Sequence, residues 1–258
     1  MIPVRKNGLL YYRFETLAGQ RGIDHAVFTR LGGHSAPPFA SLNVGATVGD
    51  DPAAVLQNRC VVFAEMGLSP DDVVTCYQVH SANVAPVGMR HGGQVLPATD
   101  GLMSAEGVAL FLRFADCVPI VLYDPVRHAA ALVHAGWRGT AARIAAVGVA
   151  RMAEHYGSRP GDMLACIGPS IGPCCYRVGD DFLHAMAAEW PDAGNYILRR
   201  NGAHYADLWE MNRRQLLDAG VAQVEVARIC TACRTDEFFS HRGDGGRTGR
   251  FAAIVRLR

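Results

Sequence analysis

Short apolar runs bounded by turn residues recur along the chain, and the densest set lies at residues 116–140, DCVPIVLYDPVRHAAALVHAGWRGT. The runs Pro119–Tyr123 and Ala129–Val133 predict two buried strands, with Asp124-Pro125 as a turn between them and Gly136 beyond the second. Joined by so short a connection, they pair antiparallel. Further strands are predicted over Ile23–Thr29, Val73–Gln78, Asn83–Val87, Val108–Phe114, Met163–Gly168, Val224–Ile229 and Phe251–Leu257, with a short strand or turn at His204–Leu208. Helical spacing follows Asp51-Pro52, where Leu56, Cys60, Phe63 and Met66 recur, and predicts helices at Thr140–Tyr156, Asp180–Trp190 and Trp209–Ala219. Thr140 is the expected N-cap of the first of these three. Gly/Pro-rich segments at Arg30–Gly49, Arg90–Ala98, Pro169–Tyr176 and Ser240–Arg250 read as loops. Strands outnumber helices and many connections are hairpin-like. The expected class is mixed α+β, with packed sheets and outer helices in one domain spanning 1–258.

Half of the 258 residues are hydrophobic and 19% are charged, enough to bury a large core. A net charge of +1 gives no electrostatic case for nucleic acid or an acidic membrane. No apolar run approaches a membrane span, and the N-terminal MIPVRKNGLLYYRFETL lacks the apolar core of a secretory signal. Several of the eight cysteines lie in apolar runs, as free thiols do, so the expected compartment is reducing and cytoplasmic.

The hairpin carries the candidate chemistry. Cys117 precedes its first strand and His134 ends its second, so the pairing brings thiol and imidazole to the same end. His80, after the Val73–Gln78 run, completes a Cys-His-His set. Three such ligands suit zinc with a fourth position left for water. A metal-free alternative makes Cys117 a nucleophile and His134 its base, oriented by Asp116 or His80. The second histidine favours zinc, because a dyad needs only one.

Arg138, beside a helix start, is the first candidate for an anion, joined by Arg30, Arg242, Arg247 and Arg250. Gly32-Gly33 and Gly245-Gly246 match neither a triphosphate loop nor a dinucleotide fingerprint. Cys230-Thr231-Ala232-Cys233 stands as one CxxC without a second pair and reads as two unlinked thiols; Cys174-Cys175 reads as a loop feature.

Six segments, TCYQVHSANV, TDGLMS, ADCVPIVLYDP, VHAGWRGT, CIGPSIGPCCYRVGDD and SHRGDGGRTGRFAAIV, resemble the YfiH family in sequence and in order, across nearly the whole chain. That family has carried the labels laccase domain and polyphenol oxidase and is described as purine nucleoside phosphorylases. The resemblance implies a layered α-β-β-α sandwich with mixed sheets, and zinc on His80, Cys117 and His134. It implies phosphorolysis of adenosine, inosine, guanosine and methylthioadenosine, plus deamination of adenosine. Copper-dependent phenol oxidation and an amide hydrolase editing peptidoglycan precursors are the alternatives. On this reading Asp116 moves protons, Arg138 holds phosphate, Asn43 contacts ribose or base, and Arg30 and Arg242 assist substrate binding. Gly243 departs from the pattern, where a second basic residue is expected.

Overall fold

Residues along Ala109–Phe114 alternate between two separate cores, and this alternation sets the architecture. Leu110, Leu112 and Phe114 point to one core, Ala109 and Phe111 to another. Both faces of the strand are therefore covered. The computed structural model of the protein describes residues 1–258 except for the side chain of Pro191. Among the described residues, a seven-stranded sheet runs in the order Ile2–Lys6, Leu9–Arg13, Ile23–Phe28, Phe251–Leu257, Ala109–Phe114, Val73–Cys76 and Val95–Leu96. A six-stranded sheet runs Gln223–Val226, Leu164–Ile167, Val118–Asp124, Ala129–Ala135, Gly101–Ser104 and Val84–Pro86. A small three-stranded sheet combines Arg177–Val178, Ala203–Ala206 and Ile197–Arg200.

The two large sheets pack face to face. Leu110, Leu112, Val121, Tyr123, Ala130, Leu132 and Val255 meet in the middle layer. On the far side of the six-stranded sheet, Ile120, Leu122, Ala131 and Val133 pack against the helices at Ile144–Tyr156, Asp180–Glu189 and Leu208–Asp218. On the far side of the seven-stranded sheet, Phe111 and Ile254 meet the helix Pro52–Glu65. The order helix, sheet, sheet, helix is the layered α+β sandwich expected.

Two local expectations are corrected, and one element lies outside the predicted set. Thr140 caps no helix, and Thr140–Tyr156 is not one helix. A short helix, Trp137–Ala141, ends there, Arg143 turns left-handed (φ 59°), and a second helix begins at Ile144. In a continuous helix the Thr140 carbonyl would accept from the Ile144 N–H. Instead Gln215 Nε2 donates to it at 2.7 Å, and Asn212 donates to the Thr140 hydroxyl at 3.0 Å. Next, Pro52–Glu65 does not bury Leu56, which is 62% exposed, or Cys60. Asn58 points inward in their place, receiving the His34 N–H and donating to Ser35 Oγ and the Asn43 carbonyl, so polar bonds to the long loop turn the helix. Finally, the N-terminal hairpin Ile2–Lys6/Leu9–Arg13 escapes the sequence pattern, although Asn7-Gly8 carries the positive φ angles of a hairpin turn.

Candidate metal centre and its pocket

The predicted hairpin forms with antiparallel register, His134 opposite Pro119 and Ala135 opposite Val118, so Cys117 and His134 share one end. Period-two alternation aims His134 into the middle layer with Ala130 and Leu132, where its ring lies 5.4 Å from that of Phe114. His80 enters from the segment after Val73–Cys76, with a left-handed backbone (φ 63°). Its Nε2 is 3.7 Å from Cys117 Sγ, and the His80 and His134 rings are 5.0 Å apart. Ligand atoms of His80, Cys117 and His134 all lie within 4.8 Å of one another, as a shared ion requires. Gly136 permits this approach: a Cβ there would sit 2.6 Å from His80 Cδ2 and 3.2 Å from Cys117 Sγ.

Asp100 organises the set, although no pattern in the sequence singles it out. The Nδ1 of His134 donates to its carboxylate at 2.9 Å. The backbone N–H groups of Val79, His80 and Ser81 and the Ser81 hydroxyl donate to it as well. Its carboxylate is fully buried, and although burial opposes ionisation, the His134 and Ser81 donors hold its pKa down to about 2. A carboxylate on Nδ1 leaves Nε2 of His134 to face the sulfur, the outer-shell arrangement usual for metal-binding histidines. Burial alone would raise the Cys117 thiol. The charge of His134 and the bond to it, then those of His80, outweigh this and bring it down to about 6. His134 moves the other way, to about 9: burial opposes protonation, and the Cys117 charge and Asp100 favour it more strongly. The arrangement can hold a metal on thiolate and imidazole. It can equally present a thiolate beside an imidazolium.

The three residues open into a cavity of about 510 Å³, within the range of small-molecule sites. Arg113, Arg138, Arg242 and Arg250 line it together with Tyr77, Trp137 and Tyr176. Arg138 and Arg242 are exposed and stack on Trp137 and Tyr176. Arg113 is tied to Gln78 and the Cys76 carbonyl, and Arg250 to the carbonyls of Thr248 and Gly249. Asp116 also lines the cavity, with a left-handed backbone (φ 84°). Its carboxylate accepts from Thr231 Oγ1, Ser240 Oγ and the Arg242 N–H at 2.6–2.7 Å.

Arg30 and Asn43 are not among the lining residues. Arg30 donates to the carbonyls of Ala40 and Thr235 and stacks on Phe239. Asn43 is fully buried; it accepts from the Gly45 and Arg250 N–H groups and donates to Asp50. Both hold the loop whose Gly45–Thr47 segment forms one wall. Arg247 is exposed and outside the lining too. At Gly243 a Cβ would meet Thr235 Cγ2 at 2.8 Å, so a basic side chain at this position would require Thr235 to shift.

Cys174 and Cys175 lie in a loop as expected, but the Cys230–Cys233 pair does not stand alone. Cys174, Cys175, Cys230 and Cys233 converge, with their sulfurs within 4.8 Å of one another.

Comparison with known proteins places these features in context. The family model described as multi-copper polyphenol oxidoreductase laccase matches residues 24–258. A purine nucleoside phosphorylase of Bacteroides thetaiotaomicron is 37% identical over 256 residues, covering 95% of each chain. The purine nucleoside phosphorylase YlmD of Geobacillus stearothermophilus is 41% identical over 244 residues, covering 89% of this chain and 88% of its own. The crystal structure of the hypothetical protein YfiH from Bacillus licheniformis superposes with a TM-score of 0.91 at 36% identity, covering 98% of this chain and 97% of its own.

Proposed function

This chain belongs to the multi-copper polyphenol oxidoreductase laccase family, also known as YfiH, and from that premise we propose that it is a zinc-dependent purine nucleoside phosphorylase with adenosine deaminase activity in the same pocket. Adenosine, inosine, guanosine and methylthioadenosine are the proposed substrates. The observation that carries this reading is one cavity holding both a His-Cys-His donor set and two exposed, aromatic-stacked arginines. Relatives named as purine nucleoside phosphorylases support it over the oxidase label. The donor set supports it as well. Multi-copper oxidation needs further imidazole-rich centres, and the other metal-competent group among the described residues is all cysteine.

His80, Cys117 and His134 would hold the zinc, with Asp100 fixing the His134 tautomer. Zinc bound there supplies Lewis acidity and a water acidic enough to react near neutral pH. Arg138 and Arg242 hold phosphate by charge-assisted hydrogen bonds and orient one oxygen toward the anomeric carbon. As that C–O bond forms, the C–N bond breaks, and the purine leaves with the proton that hydrogen phosphate gives up. The rings of Tyr77, Trp137 and Tyr176 line the cavity and give the base an aromatic wall. Asp116 holds the Arg242 loop over the cavity, and its remaining lone pairs are the candidates for moving a proton in deamination. Asn43 and Arg30 act through the Gly45–Thr47 wall. Because the walls come from segments as far apart as Gly45 and Arg250, residues 1–258 form one catalytic domain in this reading.

The test is purine release from inosine with and without phosphate, before and after chelation. Release that depends on both phosphate and metal supports the reading; equal rates with and without phosphate remove it. One observation favours a second reading. Cys117, His134 and Asp100 form a thiol-imidazole-carboxylate chain like that of cysteine-type amide hydrolases, with the thiol already acidic. A substrate-derived adduct on Cys117 in metal-free protein would favour that hydrolase.

A further inference from the structure

Cys174 and Cys175 lie in the loop leaving strand Leu164–Ile167, and Cys230 and Cys233 in the segment leaving Gln223–Val226. These strands pair in parallel, so both segments leave the same end of the sheet. The pairing then continues past them. The Ser170 N–H donates to the Ile229 carbonyl and the Thr231 N–H to the Ser170 carbonyl, both at 3.1 Å, which brings Cys230 alongside Gly172.

The result is a compact group of sulfurs. Cys233 Sγ lies 3.5 Å from Cys174 Sγ and 3.4 Å from Cys175 Sγ, and all four sulfurs fall within 4.8 Å. Tetrahedral zinc with Zn–S bonds of about 2.3 Å spaces its sulfurs at about 3.8 Å. The group therefore matches the required span with small adjustments. Cys230-x-x-Cys233 closes a tight turn in which the N–H groups of Cys233 and Arg234 donate to the Cys230 carbonyl. The Gly172 N–H points at Cys230 Sγ at 3.2 Å, a donor suited to a thiolate. Gly172 itself leaves room for this packing: a Cβ would meet the Trp209 ring at 2.5 Å and Cys174 Sγ at 3.2 Å. All four cysteines are free; Cys230 and Cys175 abut the apolar core, while Cys174 and Cys233 are exposed, so the cluster sits at the edge of the core with one side open to solvent.

The geometry points to a second metal site, in which Cys174, Cys175, Cys230 and Cys233 close around a borderline-soft divalent cation, zinc by ligand chemistry, and tie the loop that walls the pocket at Ile171 and Tyr176 to the Cys230–Cys233 segment. Four thiols give up four protons to solvent as the cation binds, and four thiolates leave no open position, so the site is structural. Its effect reaches the pocket through short connections. Ile171 and Tyr176, which flank Cys174-Cys175, line the cavity. Thr231, next to Cys230, donates to Asp116, which holds the Arg242 backbone. The inference stands apart from the reading of the His80–Cys117–His134 site.

Zinc is titrated into reduced, chelator-treated full-length protein while alkylation of each cysteine is followed by mass spectrometry. The expected result is joint protection of Cys174, Cys175, Cys230 and Cys233, with the exposed Cys60 reacting throughout as an internal control. In the His80→Ala protein, zinc-edge X-ray absorption should report four sulfurs at about 2.3 Å. The Cys174→Ser/Cys233→Ser protein should lose that signal and one equivalent of zinc. Alkylation of Cys174 and Cys233 at the same rate with and without zinc overturns the site, as does an isolated protein in which the four sulfurs are paired in disulfides. Loss of zinc at His80→Ala with this sulfur signal retained separates the two sites, so failure of the phosphorylase reading leaves this test intact.

Discussion

The carboxylate of Asp100 and the imidazole of His134 meet at 2.9 Å with no solvent reaching the carboxylate. The same carboxylate collects three consecutive N–H groups from Val79 to Ser81. One buried charge thus sets both the tautomer of His134 and the backbone that presents His80. Asp100→Asn keeps the shape and removes the charge. Metal affinity should fall roughly 10- to 100-fold, read by competition with a chromogenic chelator. An unchanged affinity would show that the histidines need no such support.

Gly136→Ala places a methyl against the His80 ring and Cys117 Sγ. The helix that follows has no use for this glycine's flexibility, since its backbone is extended (φ −71°, ψ 172°). The cost should therefore fall on the donor set: metal content drops well below one equivalent at this site while the unfolding midpoint moves little. Elemental analysis beside a thermal melt checks both halves.

Arg138→Ala and Arg242→Ala should each raise KM for phosphate about 10- to 100-fold, the value of one charged hydrogen bond of about 1.5–3 kcal/mol. Arg30→Ala, which removes bonds to Ala40 and Thr235 outside the cavity, should lower the unfolding midpoint more than it raises KM. Steady-state kinetics at varied phosphate, with melts of all three proteins, separates the two roles.

His25 is buried and accepts the Phe14 N–H at 2.8 Å on Nε2. Burial first, and then the charge of Arg13, push its pKa down to about 3 from an ordinary 6.5. Between those values the unfolded chain binds a proton that the folded chain refuses. Stability contributed by this group is therefore complete above pH 6.5 and is lost as pH falls, at about 1.4 kcal/mol per pH unit. His25→Gln should abolish about 2 kcal/mol of the loss between pH 7 and pH 5. Urea unfolding of both proteins at the two pH values measures the difference, and parallel losses would refute it.

The strand Phe251–Leu257 was legible residue for residue, because it is apolar at every position but Arg256 and bounded by a glycine-rich loop. The hairpin around Asp124-Pro125 was legible for the same reason, and with it the meeting of Cys117 and His134. The buried face of Pro52–Glu65 was not, since a buried asparagine looks like a surface residue until its partners in the loop are known.

Local chemistry therefore determined most of the strands, the turns between them and the two ligand types, thiol and imidazole, because apolar runs and turn residues act over a few neighbours. Tertiary structure alone decided which distant groups share a charge or an ion. Asp100 became the anchor of two histidines, and four cysteines from two loops became one cluster, because parallel strand pairing and sheet packing join segments between which the sequence shows no periodic relation.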